Sequence, residues 1–370
     1  MAAKTSPSKG MSTPLLRRLA RPVLPTEVLE FWGSKLHRTW SVDRPLVRVV
    51  SRHVEASDAV TLVLQPNRHW KGFLPGQHVN LGIEVNGVRL SRSYSLVDVP
   101  RSDRRIAITV RAIGGGRVSR HLHDMAKVGD VFDIGPAFGE MVLPESHDAP
   151  LLFLAAGSGI TPLMSMTRAL AQAGMPTPLT LVYSARRREE FCFADELRAL
   201  ARQHAQLDVR FLLTGDNAST ADESEGRLDS AHLDAFVPDL VAHRVYACGP
   251  SGFVEHARAL VSSRVRSFEA EAFSPPPRIK TADDAGTVQV SLARSQRTLT
   301  VPRGQSLLVA LENAGMTPAS GCRMGICNTC ACGKREGSTR QLHTGDMEHE
   351  PATALKLCVN AAASDLVLDL

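Results

Sequence analysis

The chain has 370 residues, of which 43% are hydrophobic and 22% charged, a composition typical of a globular protein with two to three domains. The net charge is +5, but the basic residues are scattered and aromatic residues make up only 5%, which argues against a nucleic-acid-binding protein. No apolar run approaches the ~20 residues of a spanning helix, and no signal peptide is recognisable, so we expect a cytoplasmic protein.

Residues 1–43 are predicted to form a basic N-terminal extension. Lysine and arginine outnumber acidic residues there, and a patchy apolar face runs through residues 15–24, interrupted by prolines. Trp32 and Trp40 follow. One interpretation is an arm packed on the body of the protein. The other is a basic amphipathic contact with a membrane surface or a membrane-bound partner, which would make the protein peripheral at the inner face of the membrane.

Residues 44–146 consist of short β-type stretches separated by turn signals. The segment GIEV-NG-VRL predicts a hairpin with Asn86 and Gly87 at its turn. Several such strands in succession predict a small antiparallel β-barrel.

Residues 147–273 alternate apolar strands, such as LLFLAA from Leu151, with helical segments, which predicts a parallel α/β sheet. Residues 274–286 are rich in proline and charge and are predicted to be a linker. In residues 287–370, two strands precede an amphipathic helix over Ser306–Ala314 that Gly315 ends.

Four cysteines crowd the loop GCRMGICNTCACGK. Three of them, Cys322, Cys327 and Cys330, have the spacing C-x4-C-x2-C, and Cys358 follows after a longer gap. This is the plant-type spacing for a [2Fe–2S] cluster, in which a tight loop brings backbone N–H groups around the sulfurs. A zinc site would need a second C-x2-C pair, and a disulfide knot is disfavoured in a reducing compartment. Cys332 is interpreted as a small buried residue.

Three further motifs accompany this loop: RSYSL from Arg92, GSGITP from Gly157 and CGP from Cys248. With them, residues 44–273 resemble the ferredoxin–NADP reductase superfamily, and the C-terminal part resembles a plant-type ferredoxin of the β-grasp fold. The whole resembles single-chain oxygenase or desaturase reductases, including the electron-transfer partners of stearoyl-CoA desaturase.

The resemblance implies an FAD site in the barrel. Tyr94 would stack on the flavin, Ser95 would bond its N5, and Arg92 would hold the phosphates, with Ser93 completing the motif. The glycine-rich stretch GGGRVSRHL would face the pyrophosphate at a helix start, which favours FAD over FMN. Its expected contacts are Gly116, Val118 and Ser119.

The resemblance also implies a nicotinamide nucleotide site in the α/β domain. The residues expected at the nucleotide's phosphates and nicotinamide are Gly157, Gly159, Thr161, Pro162, Cys248, Gly249 and Pro250. Cys248 would lie near the nicotinamide C4 and help to aim the hydride without acting as a nucleophile. Phe273 would gate access to the flavin, or would simply close the domain core. Catalytic roles are thus expected for Ser95, Cys248 and Phe273.

The choice between NADPH and NADH depends on the stretch YSARRREEF. Ser184, Arg186 and Arg187 follow the strand that should approach the adenosine ribose, where a guanidinium can pair with a 2′-phosphate. An arginine here also occurs in NADH-using relatives, and the run could be a solvated helix start. We favour NADPH.

These residues together predict an NAD(P)H-dependent reductase that splits a hydride into single electrons and passes them through the [2Fe–2S] cluster to an external acceptor. The acceptor is expected to be a fatty-acyl desaturase or an oxygenase; ring-hydroxylating oxygenases and cytochromes P450 remain open. A function of another class, an iron–sulfur redox sensor with a degenerate reductase body, is disfavoured by the intact motifs. A zinc-binding interaction module is the third alternative.

Overall fold

The computed structural model describes residues 26–85, 87–274 and 278–370. Residues 1–25 of the extension, Asn86 of the predicted hairpin turn and residues 275–277 of the predicted linker lie outside the described residues. The first described element is helix α1 (Thr26–Leu36). It packs on the segment that follows it: Glu30 accepts hydrogen bonds from the Ser41 hydroxyl and the Val42 amide, both at 2.9 Å.

The barrel consists of six strands whose order is β4-β3-β6-β1-β2-β5, with antiparallel neighbours throughout. The strands are β1 (Leu46–Ala56), β2 (Ala59–Pro66), β3 (His78–Val85), β4 (Val88–Ser95), β5 (Ile106–Arg111) and β6 (Val131–Phe138). Val85 pairs with Val88, which confirms the predicted hairpin. A bridge between Leu96 and Ile108 joins the end of β4 to β5 and closes the sheet. The short helix α2 (Arg117–Arg120) continues into a π-helical turn at His121–Met125.

The second sheet is parallel throughout, in the order β10-β9-β8-β7-β11-β12, as predicted. Its strands are β7 (Leu151–Ala156), β8 (Leu179–Ala185), β9 (Leu207–Leu213), β10 (Glu223–Glu225), β11 (Arg244–Gly249) and β12 (Ser267–Ala272). The helices are α3 (Ile160–Gln172), α4 (Ala194–Gln203), α5 (Ser230–Phe236) and α6 (Ser251–Val261). Every residue of β7 is buried, as expected for a central strand between β8 and β11.

The C-terminal unit is an α+β fold. Its strands are β13 (Thr287–Leu292), β14 (Arg297–Pro302), β15 (Ala331–Glu336), β16 (Thr339–Gln341), β17 (Met347–Glu348), β18 (Ala352–Lys356), β19 (Asn360–Ala362) and β20 (Leu366–Leu368). Helix α7 (Leu307–Asn313) begins after Ser306, whose hydroxyl accepts from the Val309 amide at 3.4 Å, and ends before Gly315 at φ +78°. The predicted helix is confirmed.

The barrel and the parallel sheet are joined by charged and polar contacts that cross their boundary. Arg111 at the end of β5 pairs with Asp58 of the barrel at 2.5 Å and with Glu190 of the α/β domain at 2.8 Å. Arg168 and Ser165 of α3 donate to backbone carbonyls of the barrel, each at 2.6 Å. These contacts hold helix α3 and the segment around Glu190 against the barrel.

Candidate functional site

The cysteine loop connects α7 to β15 and is shaped around sulfur. The Cys322 sulfur accepts from the amides of Met324, Ile326 and Cys327 at 3.4 Å, and the Cys327 sulfur accepts from the Cys322 amide at 3.2 Å. A Cβ at Gly321 would lie 2.6 Å from the Cys327 sulfur, so this position requires glycine. The loop therefore has the amide-lined form that stabilises negatively charged sulfurs.

The four predicted thiols form two pairs, Cys322 with Cys327 and Cys330 with Cys358. A partner thiol hydrogen bonded to the sulfur lowers the pKa of Cys327 in the first pair and the pKa of Cys330 in the second. Among the described residues no three potential ligands converge as they would around a single ion. Two irons that each take two protein thiolates fit this donor set. Cys332, on β15, is partly buried and burial raises its pKa to about 11.

Strand β4, which pairs with β3 in the barrel, carries the predicted flavin motif. Its alternation places Ser93 and Ser95 on one face and Arg92 and Tyr94 on the other. Ser95 is buried and lies opposite His78 of β3. Burial raises the pKa of the Tyr94 phenol and lowers the pKa of Arg92. A phenol that stays protonated and a cation near a protein interior suit the binding of a flavin and its phosphates.

The glycine-rich stretch forms a tight turn into α2. A Cβ at Gly116 would lie 2.4 Å from the Ser119 hydroxyl, which accepts from the Ile113 amide at 3.3 Å. Val118 is buried in the barrel core. The hydroxyl of Ser119 thus closes the turn by accepting from the Ile113 amide. Any residue larger than glycine at position 116 would crowd this hydroxyl.

The loop after β7 brings the two predicted nucleotide motifs together. A Cβ at Gly159 would lie 2.0 Å from the Cys248 carbonyl oxygen, so the turn into α3 contacts the end of β11 only because this residue is glycine. Thr161 donates to the Ser158 carbonyl at 2.9 Å, and Pro162 lies in the first turn of α3. Gly157 has φ +55°, a left-handed conformation that favours glycine.

At the end of β11, Cys248 is fully buried and burial raises its pKa well above the ordinary value. A thiol of this kind is not a nucleophile at neutral pH. Gly249 and Pro250 precede α6, and the Phe273 amide donates to the Gly249 carbonyl at 2.8 Å. Phe273 therefore lies beside the CGP motif, partly buried.

The three arginines of the run Arg186–Arg188 differ in whether they form ion pairs. Arg188 makes a bidentate pair with Glu223, whose carboxylate is fully buried, and Arg187 pairs with Glu189 and Glu190. Arg186 makes no side-chain hydrogen bond or ion pair with the described residues. The nearby hydroxyl of Ser184 is buried at the end of β8 and has no hydrogen-bond partner among the described residues. An orphaned hydroxyl beside an available guanidinium fits a polar or anionic ligand.

Sequence reasoning missed two buried residues at the boundary between the barrel and the α/β domain. His78 Nδ1 lies 3.5 Å from Glu271 Oε1, and Glu271 pairs with Cys248 across β11 and β12. Burial raises the pKa of Glu271 to about 7 and lowers the pKa of His78 to about 4. Burial thus outweighs their mutual attraction, and both neutral forms are favoured. The signal in the sequence was an acidic residue two positions before Phe273.

A cavity of about 880 Å³ lies between the three units. It is bordered by Asn80 and Phe138 of the barrel, by Glu271 of β12, and by Cys327 and Thr329 of the cysteine loop. The motif residues Arg92, Tyr94 and Ser95 are not among its lining residues. The structure thus brings the cysteine loop and strand β12 to one opening.

Comparison with known proteins identifies the domains in chain order. Residues 47–142 match the oxidoreductase FAD-binding domain, residues 153–259 the oxidoreductase NAD-binding domain and residues 290–362 the 2Fe–2S iron–sulfur cluster binding domain. An NADPH oxidoreductase of Mycobacterium tuberculosis is 35% identical over 361 residues, covering 95% of this chain and 90% of that protein. The chain belongs to the ferredoxin–NADP reductase superfamily. It is an NAD(P)H oxidoreductase that uses FAD and a [2Fe–2S] cluster.

Two further proteins share the whole arrangement of this reductase. The glycine betaine monooxygenase reductase subunit of Pseudomonas aeruginosa is 28% identical, covering 90% of this chain and 97% of that protein. The solved structure of phthalate dioxygenase reductase superposes with a TM-score of 0.59 at 27% identity, covering 88% of this chain and 97% of that one. Among the described residues of the reductase, no helix is both long and apolar enough to cross a membrane.

Proposed function

We propose that the reductase delivers electrons from NADPH to a separate terminal oxygenase. The observation that carries this proposal is the position of the cysteine loop, whose Cys327 lines the cavity that residues of the barrel and of β12 also border. The relatives' names support an oxygenase as acceptor, because two of them are reductases of a monooxygenase and of a dioxygenase.

The residues of this chain would then have the following roles. Arg92, Tyr94 and Ser95, with the turn at Gly116–Ser119, bind and orient the flavin. Cys248, a fully buried thiol whose pKa is raised by burial, would lie near the nicotinamide as an uncharged neighbour. When bound, FAD accepts a hydride and releases single electrons, and the cluster carries them one at a time. The thiols Cys322, Cys327, Cys330 and Cys358 hold the cluster.

We further propose NADPH as the preferred nucleotide, with Ser184 and Arg186 at the 2′-phosphate. Arg186 contributes most of the binding energy for the 2′-phosphate, because Arg187 and Arg188 already form ion pairs with carboxylates of the chain. A guanidinium that is not already neutralised gains more from a phosphate.

Reconstitution tests the acceptor. The purified reductase is combined with a ring-hydroxylating oxygenase, an alkyl-group monooxygenase, a cytochrome P450 and a membrane fatty-acyl desaturase, and NADPH-dependent product formation is measured. We expect turnover with an oxygenase. Turnover with the desaturase alone would contradict an oxygenase acceptor and indicate a desaturase instead. Slow reduction of every acceptor, including ferricyanide, would favour the redox sensor.

The finer proposal for the N-terminal region is a contact with an anionic membrane surface. Helix α1 exposes Phe31, Trp32 and Leu36, and Lys35 lies among them. Its opposite face packs on the segment that follows, since a Cβ at Gly33 would overlap the Trp40 ring. Aromatic and aliphatic side chains beside lysine, next to a basic sequence, are the composition of an interfacial helix.

A further inference from the structure

A chain of three hydrogen bonds joins the flavin motif to a cluster ligand. Ser93 donates to the side-chain oxygen of Asn80 at 2.7 Å. The Asn80 side-chain amide donates to the Thr329 hydroxyl at 3.3 Å, and that hydroxyl donates to the Cys327 sulfur at 3.1 Å. In each of the three hydrogen bonds the donor lies on the side of Ser93 and the acceptor on the side of the Cys327 sulfur.

The middle bond crosses from one domain to another. Asn80 lies on β3, directly opposite Ser93 of β4, whereas Thr329 lies 249 positions later in the cysteine loop. Within the described residues it is the one hydrogen bond that joins residues 44–273 to residues 278–370. Among the described residues, a single hydrogen bond therefore links the barrel to the cysteine loop.

Asn80 is well placed to hold the loop in one position. Its carbonyl is fixed by Ser93 on the neighbouring strand, so the side-chain amide has a defined direction before it meets Thr329. Thr329 is itself held by its bond to Cys327. Because both partners are oriented in advance, forming the contact costs little additional side-chain entropy.

We propose that Asn80 is a positioning residue that seats the cluster loop on the flavin-binding strand and thereby sets the rate of electron transfer from flavin to cluster. This inference rests on the flavin and cluster roles given above, and it assigns no chemistry to Asn80 itself. Thr329 has two roles in it: its hydroxyl accepts from Asn80 and donates to a ligand sulfur. Removing the hydroxyl should therefore also make the cluster harder to reduce, since a donor to sulfur stabilises the reduced state.

The test compares four variants of the full-length holoenzyme. Asn80→Leu keeps the size of the side chain and removes both bonds, and Asn80→Asp keeps the acceptor for Ser93 but cannot donate to Thr329. Thr329→Ser keeps the hydroxyl. Asn217→Leu makes the same chemical change at an exposed asparagine of the α/β domain and is the matched control.

Three measurements are made on each variant: iron content with the electron paramagnetic resonance spectrum of the reduced cluster, the rate of flavin-to-cluster electron transfer after rapid mixing with NADPH, and the rate of limited proteolysis within residues 274–286. In Asn80→Leu and Asn80→Asp we expect an unchanged spectrum, transfer at least tenfold slower and proteolysis several times faster. Thr329→Ser and Asn217→Leu should behave as wild type.

A transfer rate in Asn80→Leu within twofold of wild type, or unchanged proteolysis, would overturn the inference. Equal slowing in Asn217→Leu would do the same. Iron-free wild-type protein would instead contradict the proposed function, so the two failures are distinguishable.

Discussion

His78 Nδ1 faces Glu271 Oε1 at 3.5 Å across the boundary between the barrel and the parallel sheet. His78 on β3 lies opposite Ser95, and Glu271 on β12 lies opposite Cys248, so the contact connects the two strands that neighbour those to which flavin and nicotinamide contacts are assigned. Gly139, at φ +119°, makes room for it, because a Cβ there would lie 2.9 Å from the His78 ring.

The first prediction concerns the buried carboxyl of Glu271. Its pKa is raised by burial to about 7, so the folded state holds a proton that the unfolded chain has lost above its ordinary pKa. This contribution to stability is full at low pH and is lost as the pH rises through about 7. From pH 5 to pH 8, wild type should lose about 2–3 kcal/mol of unfolding free energy relative to Glu271→Gln. Denaturant unfolding of both proteins at both pH values measures this difference, and parallel profiles would contradict it.

Replacing one cluster ligand should separate the two redox centres. Cys322→Ser is expected to lose iron, acid-labile sulfide and electron transfer to cytochrome c, while NADPH–ferricyanide activity, which draws on the flavin, is retained. The matched control is Cys332→Ser, which removes the additional thiol of the loop and should keep the cluster. Joint loss of both activities in Cys322→Ser would count against modular centres.

Arg92 is predicted to retain the flavin. Arg92→Ala should purify with at least tenfold weaker FAD binding, because a charge-assisted hydrogen bond to phosphate contributes about 1.5–3 kcal/mol. Arg89→Ala removes a charge from the same strand, where Arg89 pairs with Asp133 at the surface, and should bind FAD normally. Equal FAD content in both variants after dialysis would refute the assignment.

Nucleotide preference should depend on Arg186. We expect Arg186→Ala to lower kcat/KM for NADPH about tenfold to a hundredfold and to change kcat/KM for NADH little, since only NADPH carries the 2′-phosphate. Arg187→Ala should have a smaller effect, and Arg202→Ala, an exposed charge on α4, should have none. A wild-type preference for NADH would contradict the assignment.

The outward face of α1 should bind anionic vesicles. Trp32 is 64% exposed, whereas Trp40 is half-buried and Trp70 is only 6% exposed, so Trp32 is the most exposed of the three fluorescent reporters. We expect a blue shift of tryptophan emission with vesicles containing phosphatidylglycerol and not with phosphatidylcholine alone. Leu36→Ser should weaken co-sedimentation severalfold, whereas Val241→Ser, at a valine of the α/β domain that is 70% exposed, should not. Binding that is indifferent to Leu36→Ser would exclude α1 as the contact.

Local patterns were sufficient for much of this protein. The hairpin between β3 and β4, the helix after Ser306 and the parallel strands follow from turn residues, caps and apolar runs that lie within a few positions of one another. The cysteine spacing likewise indicated the cluster type, because three of its ligands belong to one loop. Such features depend on short-range backbone preferences, which the sequence expresses directly.

Only the tertiary structure decided which distant groups meet. It paired Cys330 with Cys358, divided the arginine run into paired and available side chains, and placed Glu271 against His78. It also brought Asn80 to Thr329 across 249 positions. These contacts depend on strand register and on how whole sheets pack. Neither is determined by the few residues that flank a position in the sequence.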